Sequence, residues 1–368
     1  MLESVIFPVL VPNPGVVIAM HALKSTETQA VPLLVLNEEG ELWRLELHSG
    51  LAVKLLQVDI PEFNPLHPQQ IVLSKDERYA AISNRLGQHA AVYDLQSLQE
   101  VMKLSRDDYH YTTCTFPLAF AELDHRTVLI KGTEWNRLDL VDMDTGALLT
   151  DRESPVYESE DKQATEHYLD YFFGKLHVSP DGEWIISTGW IWQPVGSIRA
   201  WHLPSWKSNC WEAEDGPTVH NIWEYTEDWD YPVTWIDDYT FAVWGKIETE
   251  MYDEEDGELE IYGDGKSAPV LALFDVKTGE RKEFFLKMPA IRLTSDIEGL
   301  FYPHAQMAQV HGKLVLWGAI HGLSILNPDS GHIEYSEQTS RPDLYHESAG
   351  LFLLTDVSGS ITGLKLNQ

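Results

Sequence analysis

The chain has 368 residues, of which 43% are hydrophobic and 11% aromatic, a composition that supports a packed core and excludes an intrinsically disordered protein. Its 26 basic and 58 acidic side chains give a net charge of −32. A field of that sign repels phosphate backbones and anionic lipid surfaces, so we expect no nucleic-acid or membrane binding. A basic protein partner is one interpretation of the charge, and simple solubility is the other.

The N-terminal segment and the cysteines indicate the compartment. No lysine or arginine precedes Lys24, and Pro8 and Pro12 interrupt a short apolar run, which is not the pattern of a secretory signal. No run approaches the roughly twenty apolar residues of a membrane span. Cys114 and Cys210 lie outside any Cys-x-x-Cys motif, so no zinc or redox site is predicted. We therefore predict a cytoplasmic protein.

One local phrase, an alternating apolar strand followed by a polar turn, recurs seven times. The copies are LWRLELHSG (42–50), AVYDLQSL (91–98), LDLVDMDTG (138–146), IRAWHLPSW (198–206), LALFDVKTG (271–279), LSILNPDSG (323–331) and ITGLKLNQ (361–368). They are spaced by 48, 48, 60, 73, 52 and 38 residues when aligned at Glu46, Asp94, Asp142, His202, Asp275, Asn327 and Lys365. A period of about 40–50 residues indicates four-stranded propeller blades.

The predicted strands follow the chain in blade order. Blade one takes 15–23, 31–37, 41–47 and 51–58, and blades two to six repeat the arrangement with short segments rich in β-branched and aromatic residues. Blade three is predicted to end with ALLTD (147–151) and blade four with NCWEA (209–213). SKDE (74–77) and SPDG (179–182) have the composition of tight turns between first and second strands.

Blade seven is one strand short, because the chain ends after LYHES, GLFLLTD and ITGLKL. The third of these strands would have a bare edge, which is an aggregation liability. The apolar segment at about 4–11 has no partner in blade one, and we expect it to be the outer strand of blade seven. The sequence therefore predicts an all-β, seven-bladed β-propeller of four-stranded antiparallel blades, forming a single domain over 1–368.

The phrases VYDL, VDMDTG, FDVKTG and SPDG resemble those of the WD40-like seven-bladed β-propellers, and the resemblance covers nearly the whole chain. It implies a repeat protein of the kind that mediates protein–protein interaction. The family's Trp-Asp ending is replaced here by Tyr93-Asp94, Val141-Asp142 and Phe274-Asp275, and its Gly-His pair is missing from most blades. The chain thus resembles a divergent member.

Turn lengths differ between the two ends of the predicted blades. We call the end with the first-to-second and third-to-fourth turns the turn end, and the end with the second-to-third turns and interblade connections the linker end. Four large insertions are predicted, all at the linker end of blades three to five: 152–171, 189–197, 212–230 and 246–268. Long loops on a rigid scaffold usually carry function.

The insertions are rich in tryptophan and acid. Ten of the thirteen tryptophans lie between Trp184 and Trp244, and the last insertion has nine acids from Glu248 to Asp264, which predict a hairpin with an acidic tip. Core packing and a solvated tip are the alternatives to partner binding. The predicted partner-binding residues are Trp190, Trp192, Trp223, Tyr225, Trp229, Tyr231, Tyr252, Asp253, Glu254, Glu255 and Asp256.

The leading functional prediction is a non-catalytic binding or scaffold propeller. It would present an acidic, tryptophan-rich face to a protein partner, in one version as an acidic inhibitor or immunity-type protein. The alternative is an enzyme or small-ligand propeller with a site at the central channel, near 110–113, 175–179 and 304–309. A structural subunit of a larger assembly is a third reading. We find no metal, cofactor or catalytic motif: Gly265-Lys266-Ser267 lacks the first glycine of a phosphate loop.

Overall fold

The structure is a computed structural model in which the chain divides into two compact units. Unit 1 contains 1–105 and 338–368, and unit 2 contains 106–337. The prediction of one domain over 1–368 stays a prediction. The structure describes residues 2–25, 30–155, 157–158, 163–164, 166–192, 195–225, 230–248, 267–287, 294–295, 301–302, 305–318, 322–356 and 359–366.

Unit 1 holds three four-stranded antiparallel sheets, which are blades one, two and seven. Blade one is β2 (Val17–Ala22), β3 (Pro32–Asn37), β4 (Glu41–Glu46) and β5 (Leu51–Gln57). Blade two is β6 (Gln69–Leu73), β7 (Tyr79–Asn84), β8 (His89–Asp94) and β9 (Gln99–Ser105). Blade seven is β29 (Leu344–His346), β30 (Leu351–Thr355), β31 (Ile361–Leu366) and the N-terminal β1 (Leu2–Ile6).

The N-terminal strand completes blade seven, as the sequence predicts. β1 pairs antiparallel with β31, in a register that runs from Leu2 opposite Leu366 to Ile6 opposite Thr362. The predicted bounds of 4–11 are too late, and the strand ends before Pro8. Proline has no backbone N–H and so cannot continue a hydrogen-bonded ladder.

Unit 2 holds blades three to six. Blade three is β10 (Leu118–Leu123), β11 (Arg126–Glu134) and β12 (Arg137–Asp142), and blade four is β15 (Phe172–Val178), β16 (Trp184–Ile191), β17 (Val195–His202) and β18 (His220–Tyr225). Blade five is β19 (Val233–Trp235), β20 (Thr240–Glu248), β21 (Ser267–Asp275) and β22 (Arg281–Phe285). Blade six is β25 (Ala305–Val310), β26 (Lys313–Gly318), β27 (Gly322–Leu326) and β28 (Ile333–Glu337).

Shorter elements lie between these strands. Two small hairpins are β13 (Tyr157–Glu158) with β14 (Gln163–Ala164), and β23 (Thr294–Ser295) with β24 (Phe301–Tyr302). Within the described residues, the helices are α1 (Leu203–Trp206) and α2 (Glu212–Asp215), with 3₁₀ turns at Tyr111–Thr113 and Glu347–Ala349.

Blade three lacks a regular fourth strand, so the prediction of a strand at 147–151 is wrong. Only Leu148 makes a bridge, to Val141, and the Leu149 N–H donates to the Leu140 carbonyl at 2.8 Å. The Leu140 N–H donates instead to the Thr150 hydroxyl at 3.0 Å. A side-chain oxygen thus replaces the backbone acceptor, and the ladder stops after one bridge.

The repeated phrase has a common local structure, in which a carboxylate or amide closes the turn after the third strand. Asp142 Oδ1 accepts from the backbone N–H groups of Asp144 at 3.0 Å and Thr145 at 2.9 Å. The same two bonds form at Asp94 and Asp275, and one of them forms at Asn327. Short polar side chains bond in this way to the backbone two and three residues ahead, which explains why the phrase recurs.

Packing between sheets forms the core. All six residues of β3 and all six of β7 are buried, whereas exposed residues interrupt the outer strands β5 and β9. The second strands are covered on both faces, which is why they lack a polar alternation. In unit 1 one cluster joins blades one and two and another joins blades one and seven; in unit 2 one joins blades three and four and another joins blades four to six.

The predicted insertion at 212–230 is wrongly placed. β17 ends at His202 and β18 begins at His220, so the long connection 203–219 joins the third and fourth strands of blade four at its turn end. The predicted strand 209–213 is replaced by a turn and α2. Leu203, Trp206 and Ala213 pack in the core cluster that joins blades three and four, so tertiary contacts override the apparent strand.

The other predicted insertions are mostly at the linker end, with changed bounds. Strand pairing extends from Gly189 opposite Ser197 to Ile191 opposite Val195, so most of the predicted insertion 189–197 is strand. The connection 152–171 contains the β13–β14 hairpin. β20 and β21 pair as far as Glu248 opposite Ser267, and the rest of that insertion lies outside the described residues. A further long connection, 286–304, joins blades five and six and was not predicted.

Candidate functional site

Aromatic side chains from four connections meet at the linker end of blades three and four. Tyr109 and His110 precede β10, Trp135 lies in the β11–β12 turn, Phe172 begins β15, and Trp190 and Trp192 lie at the end of β16 and just after it. We call these six residues the aromatic cluster. Chain parity in an antiparallel blade places all of these connections at the same end of their sheets.

The base of the aromatic cluster is a close ring stack. Phe172 and Trp190 are 0% and 3% exposed, and their rings lie parallel with centroids 3.7 Å apart. Trp135 packs on Phe172 at 4.4 Å, and the buried Cys114 lies in the same apolar group. Stacked, buried aromatic rings form a rigid base because little side-chain freedom remains.

The outer rings of the cluster are open to solvent. Tyr109 is 44% exposed and Trp192 is 41% exposed. Trp192 stands edge-on to His110 at 5.1 Å and to Phe172 at 5.5 Å, and Tyr109 stacks against Phe172 at 5.9 Å. Large amphipathic rings held in place but still exposed lose little conformational entropy when they are covered, and they are enriched at binding hot spots.

A buried arginine shapes the segment that carries Tyr109 and His110. Arg106 is 5% exposed, and its Nη2 donates to the carbonyls of Tyr111 at 2.7 Å and Cys114 at 2.9 Å. Its guanidinium also lies 4.9 Å from the Phe116 ring centroid. The loop therefore folds around the Arg106 guanidinium, and these hydrogen bonds hold the segment that places Tyr109 beside the stacked rings.

A buried carboxylate links the neighbouring segments. Asp230 Oδ2 accepts from the Thr115 hydroxyl at 2.7 Å, and Oδ1 accepts from the Thr188 hydroxyl at 3.3 Å. Asp230 is 8% exposed and precedes the fully buried Tyr231. These bonds connect the start of blade five to blades three and four beneath the cluster.

Acidic groups accompany the aromatic rings. Burial raises the pKa of Asp107 to about 6, although a hydrogen bond from the Trp135 backbone N–H opposes the shift. Asp108 is exposed beside it, and Glu134 is half-buried. The rim of the cluster is therefore both aromatic and negatively charged at neutral pH, a combination that attracts cationic side chains.

A buried ion network supports the connection from blade three to blade four. Arg152 Nη1 donates to Asp139 Oδ1 at 2.8 Å, and Nη2 pairs with Glu214 of α2. Arg137 Nε reaches the other Asp139 oxygen at 3.0 Å. Burial raises the pKa of Glu214 to about 7 despite the Arg152 charge, which lowers it. The network joins β12, the linker and α2.

The structure brings together two of the predicted binding residues, Trp190 and Trp192, with ring centroids 5.4 Å apart. Trp190 is buried on β16, so the prediction that it lies in an insertion is corrected: it supports Trp192 from below. Trp192 is the one exposed member among the predicted residues whose side chains are described.

The predictions that Trp223 and Tyr231 are partner-binding residues on insertions are corrected in the same way. They are 5% and 1% exposed, belong to the core of blades four to six, and both lie against Gly245. Trp223 is on β18 because the chain enters that strand later than predicted. The backbone of Tyr225 pairs with Gly196 on β17. The other predicted residues lie outside the described residues: Trp229, Tyr252, Asp253, Glu254, Glu255 and Asp256.

Sequence reasoning missed three members of the cluster: Tyr109, Trp135 and Phe172. It included His110 only in the range 110–113 of the alternative channel site. Parity could have found Trp135 and Tyr109, because Trp135 stands between the second and third predicted strands of blade three and Tyr109 stands between blades two and three. Phe172 looked like an ordinary residue near the start of a strand, and only its stack on Trp190 reveals its position.

The alternative channel site was predicted near 110–113, 175–179 and 304–309, and residue 304 lies outside the described residues. Lys175 and His177 lie on β15, and burial lowers the pKa of His177 well below its usual range. In the parts of the chain that the structure describes, no three or more His, Cys, Asp or Glu side chains come close enough to hold a metal ion. None of the described helices has the length and apolarity to cross a membrane.

Known structures share this architecture. Hydrazine synthase from Kuenenia stuttgartiensis is 13% identical, with a TM-score of 0.58 and coverage of 91% of this chain and 92% of that chain. The WD40 repeats of RRP9 are 10% identical, with a TM-score of 0.53 and full coverage of both chains. No family model matches the sequence, and no curated protein does either. The likenesses support the fold predicted above, a seven-bladed β-propeller.

Proposed function

We propose that the protein is a non-catalytic binding propeller that docks a protein partner on the aromatic cluster. The observation that carries the proposal is the exposure of Tyr109 (44%) and Trp192 (41%) above the buried Phe172–Trp190 stack. Rigid aromatic anchors on a fixed base are typical of interface hot spots. The WD40-repeat fold is consistent with a scaffold role.

The proposed partner is basic at its contact surface. The chain carries a net charge of −32, and Asp108 is exposed at the rim of the cluster. Such a field speeds encounter with a positively charged protein and repels acidic ones. A specific version is an acidic inhibitor or immunity-type protein that covers the active surface of a basic enzyme or toxin. The proposed compartment is the cytoplasm, which cell fractionation would test.

The test is affinity capture followed by direct binding. We expect the wild-type chain to retain a partner that the double variant Tyr109→Ala/Trp192→Ala loses, with a Kd at least about tenfold weaker for the purified pair, because hot-spot truncation costs about 2 kcal/mol or more. The control is Leu66→Ala, since Leu66 is 90% exposed in unit 1. Equal capture by the double variant would exclude the cluster as the docking site.

Salt dependence tests the charge of the partner. Contacts between exposed charges weaken as ionic strength rises, because the Debye length shortens from about 10 Å at 0.1 M to about 3 Å at 1 M. We expect the association rate to fall steeply over this range. For the inhibitor version, the purified complex should lack the partner's own activity, and an active complex would contradict that version while leaving docking intact.

A further inference from the structure

A pocket of about 390 Å³ lies in unit 1, whereas the aromatic cluster belongs to unit 2. Its walls come from the turn end of blades one and two: Leu23 follows β2, Glu77 lies in the β6–β7 turn, and Leu95 begins the β8–β9 turn. This volume is within the range of roughly 300–1,000 Å³ that small-molecule sites occupy.

The pocket has an apolar side made by four leucines. Leu23 and Leu34 are 4% and 1% exposed, and Leu55 and Leu95 are half-buried. All four leucines belong to, or pack against, the core cluster between blades one and two. A short hydrocarbon chain placed here would be removed from water, and each buried CH₂ group contributes to binding.

Most charged groups on the pocket wall already have partners. Arg78 Nε donates to Asp94 Oδ2 at 3.0 Å. Asp76 Oδ1 accepts from the Ser74 hydroxyl at 2.6 Å, and Glu77 accepts from the Lys24 backbone N–H. These groups are held by the turn of blade two and by the end of β2, and they form the frame of the pocket.

Arg44 differs from these groups. It lies on β4 between Leu34 and Val53 in the strand register, it is exposed, and it lines the pocket. Its side chain makes no hydrogen bond or ion pair with any other residue that the structure describes. Acidic side chains are abundant in the chain, with 58 acidic residues against 26 basic ones, yet none of those described pairs with Arg44. A guanidinium is a fork of N–H donors that matches a carboxylate.

We propose that this pocket binds a small monocarboxylate with a short apolar chain, the carboxylate on Arg44 and the chain against the four leucines. Asp76 and Glu77 on the same wall repel further negative charge, which favours a monocarboxylate over a phosphate or other polyanion. The proposal is independent of partner docking, because it uses different residues in a different unit, and either one can fail alone.

The probe is 4-methylpentanoate, titrated into the purified full-length protein and followed by ligand-observed NMR saturation transfer. 4-Methylpentan-1-ol and 4-methylpentylamine have the same apolar chain and differ in the head group. We expect saturable binding of the acid, and an affinity at least about tenfold lower for both analogues, because hydrogen bonds to charged groups contribute about 1.5–3 kcal/mol. Equal binding of alcohol and acid would overturn the proposal.

Variants identify the anion-binding residue. Arg44→Gln should lower the affinity for 4-methylpentanoate at least about tenfold, and Arg44→Lys should restore part of it, since lysine keeps the charge without the planar fork. Lys54→Gln is the matched control: it removes one positive charge from the adjacent strand β5, where Lys54 pairs with Glu41, outside the pocket lining. Unchanged affinity in Arg44→Gln, with a wild-type melting curve, would also overturn the proposal.

Discussion

At the residue scale, burial raises the pKa of individual acidic side chains, and Asp107 is an example. Asp107 lies directly before Asp108 and Tyr109 of the aromatic cluster, and its pKa is raised to about 6 because burial disfavours the carboxylate. Its Oδ1 is buried without a hydrogen-bond partner among the described residues. The folded protein therefore carries a poorly solvated charge close to its proposed docking surface.

Asp107→Asn should stabilise the protein above about pH 6 and have little effect near pH 4. A folded-state pKa above the ordinary value of about 3.8 means that the folded chain binds the proton more tightly, so stability falls as pH rises from about 4 to 6. We expect a gain on the order of 1 kcal/mol at pH 8, allowing for solvent screening, and almost none at pH 4. Urea unfolding at both pH values measures it. Asp108→Asn removes the same charge from an exposed neighbour and should show no such difference; a gain independent of pH in Asp107→Asn would contradict this assignment.

At the element scale, the sequence identified most strands but assigned one connection wrongly. The Asp-x-x-Thr-Gly phrases are visible because one carboxylate closes each turn locally, as at Asp142 and Asp275. The segment 209–213 looks like a strand from its residues alone, yet the chain forms α2 there because Trp206 and Ala213 fill the space beside blade three. The hydrogen bonds within a turn can be predicted from the sequence, whereas the packing of side chains between sheets cannot.

Asp142→Ala should test the turn that the phrase encodes. Its carboxylate accepts two backbone N–H groups and pairs with Arg126 at 3.2 Å, and the Thr145 N–H chiefly lowers the pKa of Asp142. We expect a loss of about 1–3 kcal/mol at pH 7 by urea unfolding. Because the folded pKa is depressed, the contribution is present above about pH 4 and is lost as pH falls through the folded value.

The isosteric variant Asp142→Asn is the control for this turn. It retains an acceptor at Oδ1, so it should lose less than half as much stability as Asp142→Ala. Equal losses in the two variants would show that charge, and not the turn hydrogen bonds, is the contribution of Asp142.

At the scale of the whole molecule, both chain termini share one sheet. β1 and β31 pair over five residues, and Val5 packs on the apolar cluster that joins blades one and seven. Seven repeats in the sequence are enough to predict the fold class, since a blade buries its faces only against its neighbours. The missing strand of blade seven then has one available source.

Val5→Asp should reveal how much the closure stabilises the molecule. A carboxylate placed against this apolar cluster is poorly solvated, and we expect a loss of about 2 kcal/mol with a lower melting temperature. Ile6→Asp is the matched control on the same strand, because Ile6 is 84% exposed, and we expect a change within about 0.5 kcal/mol. If the two variants melt alike, the strand pairing does not contribute to stability through Val5.

The sequence alone determined the repeat, the fold class, the N-terminal strand in blade seven and the excess of acid, because periodicity, turn chemistry and charge are local or additive properties of the chain. It also placed Trp192 at the linker end of blade four. Only the tertiary structure decided that Trp190, Trp223 and Tyr231 are buried while Tyr109 and Trp192 remain open, and that Arg44 faces a leucine-lined pocket. Burial depends on which sheets pack together, and residues far apart in the sequence decide it jointly.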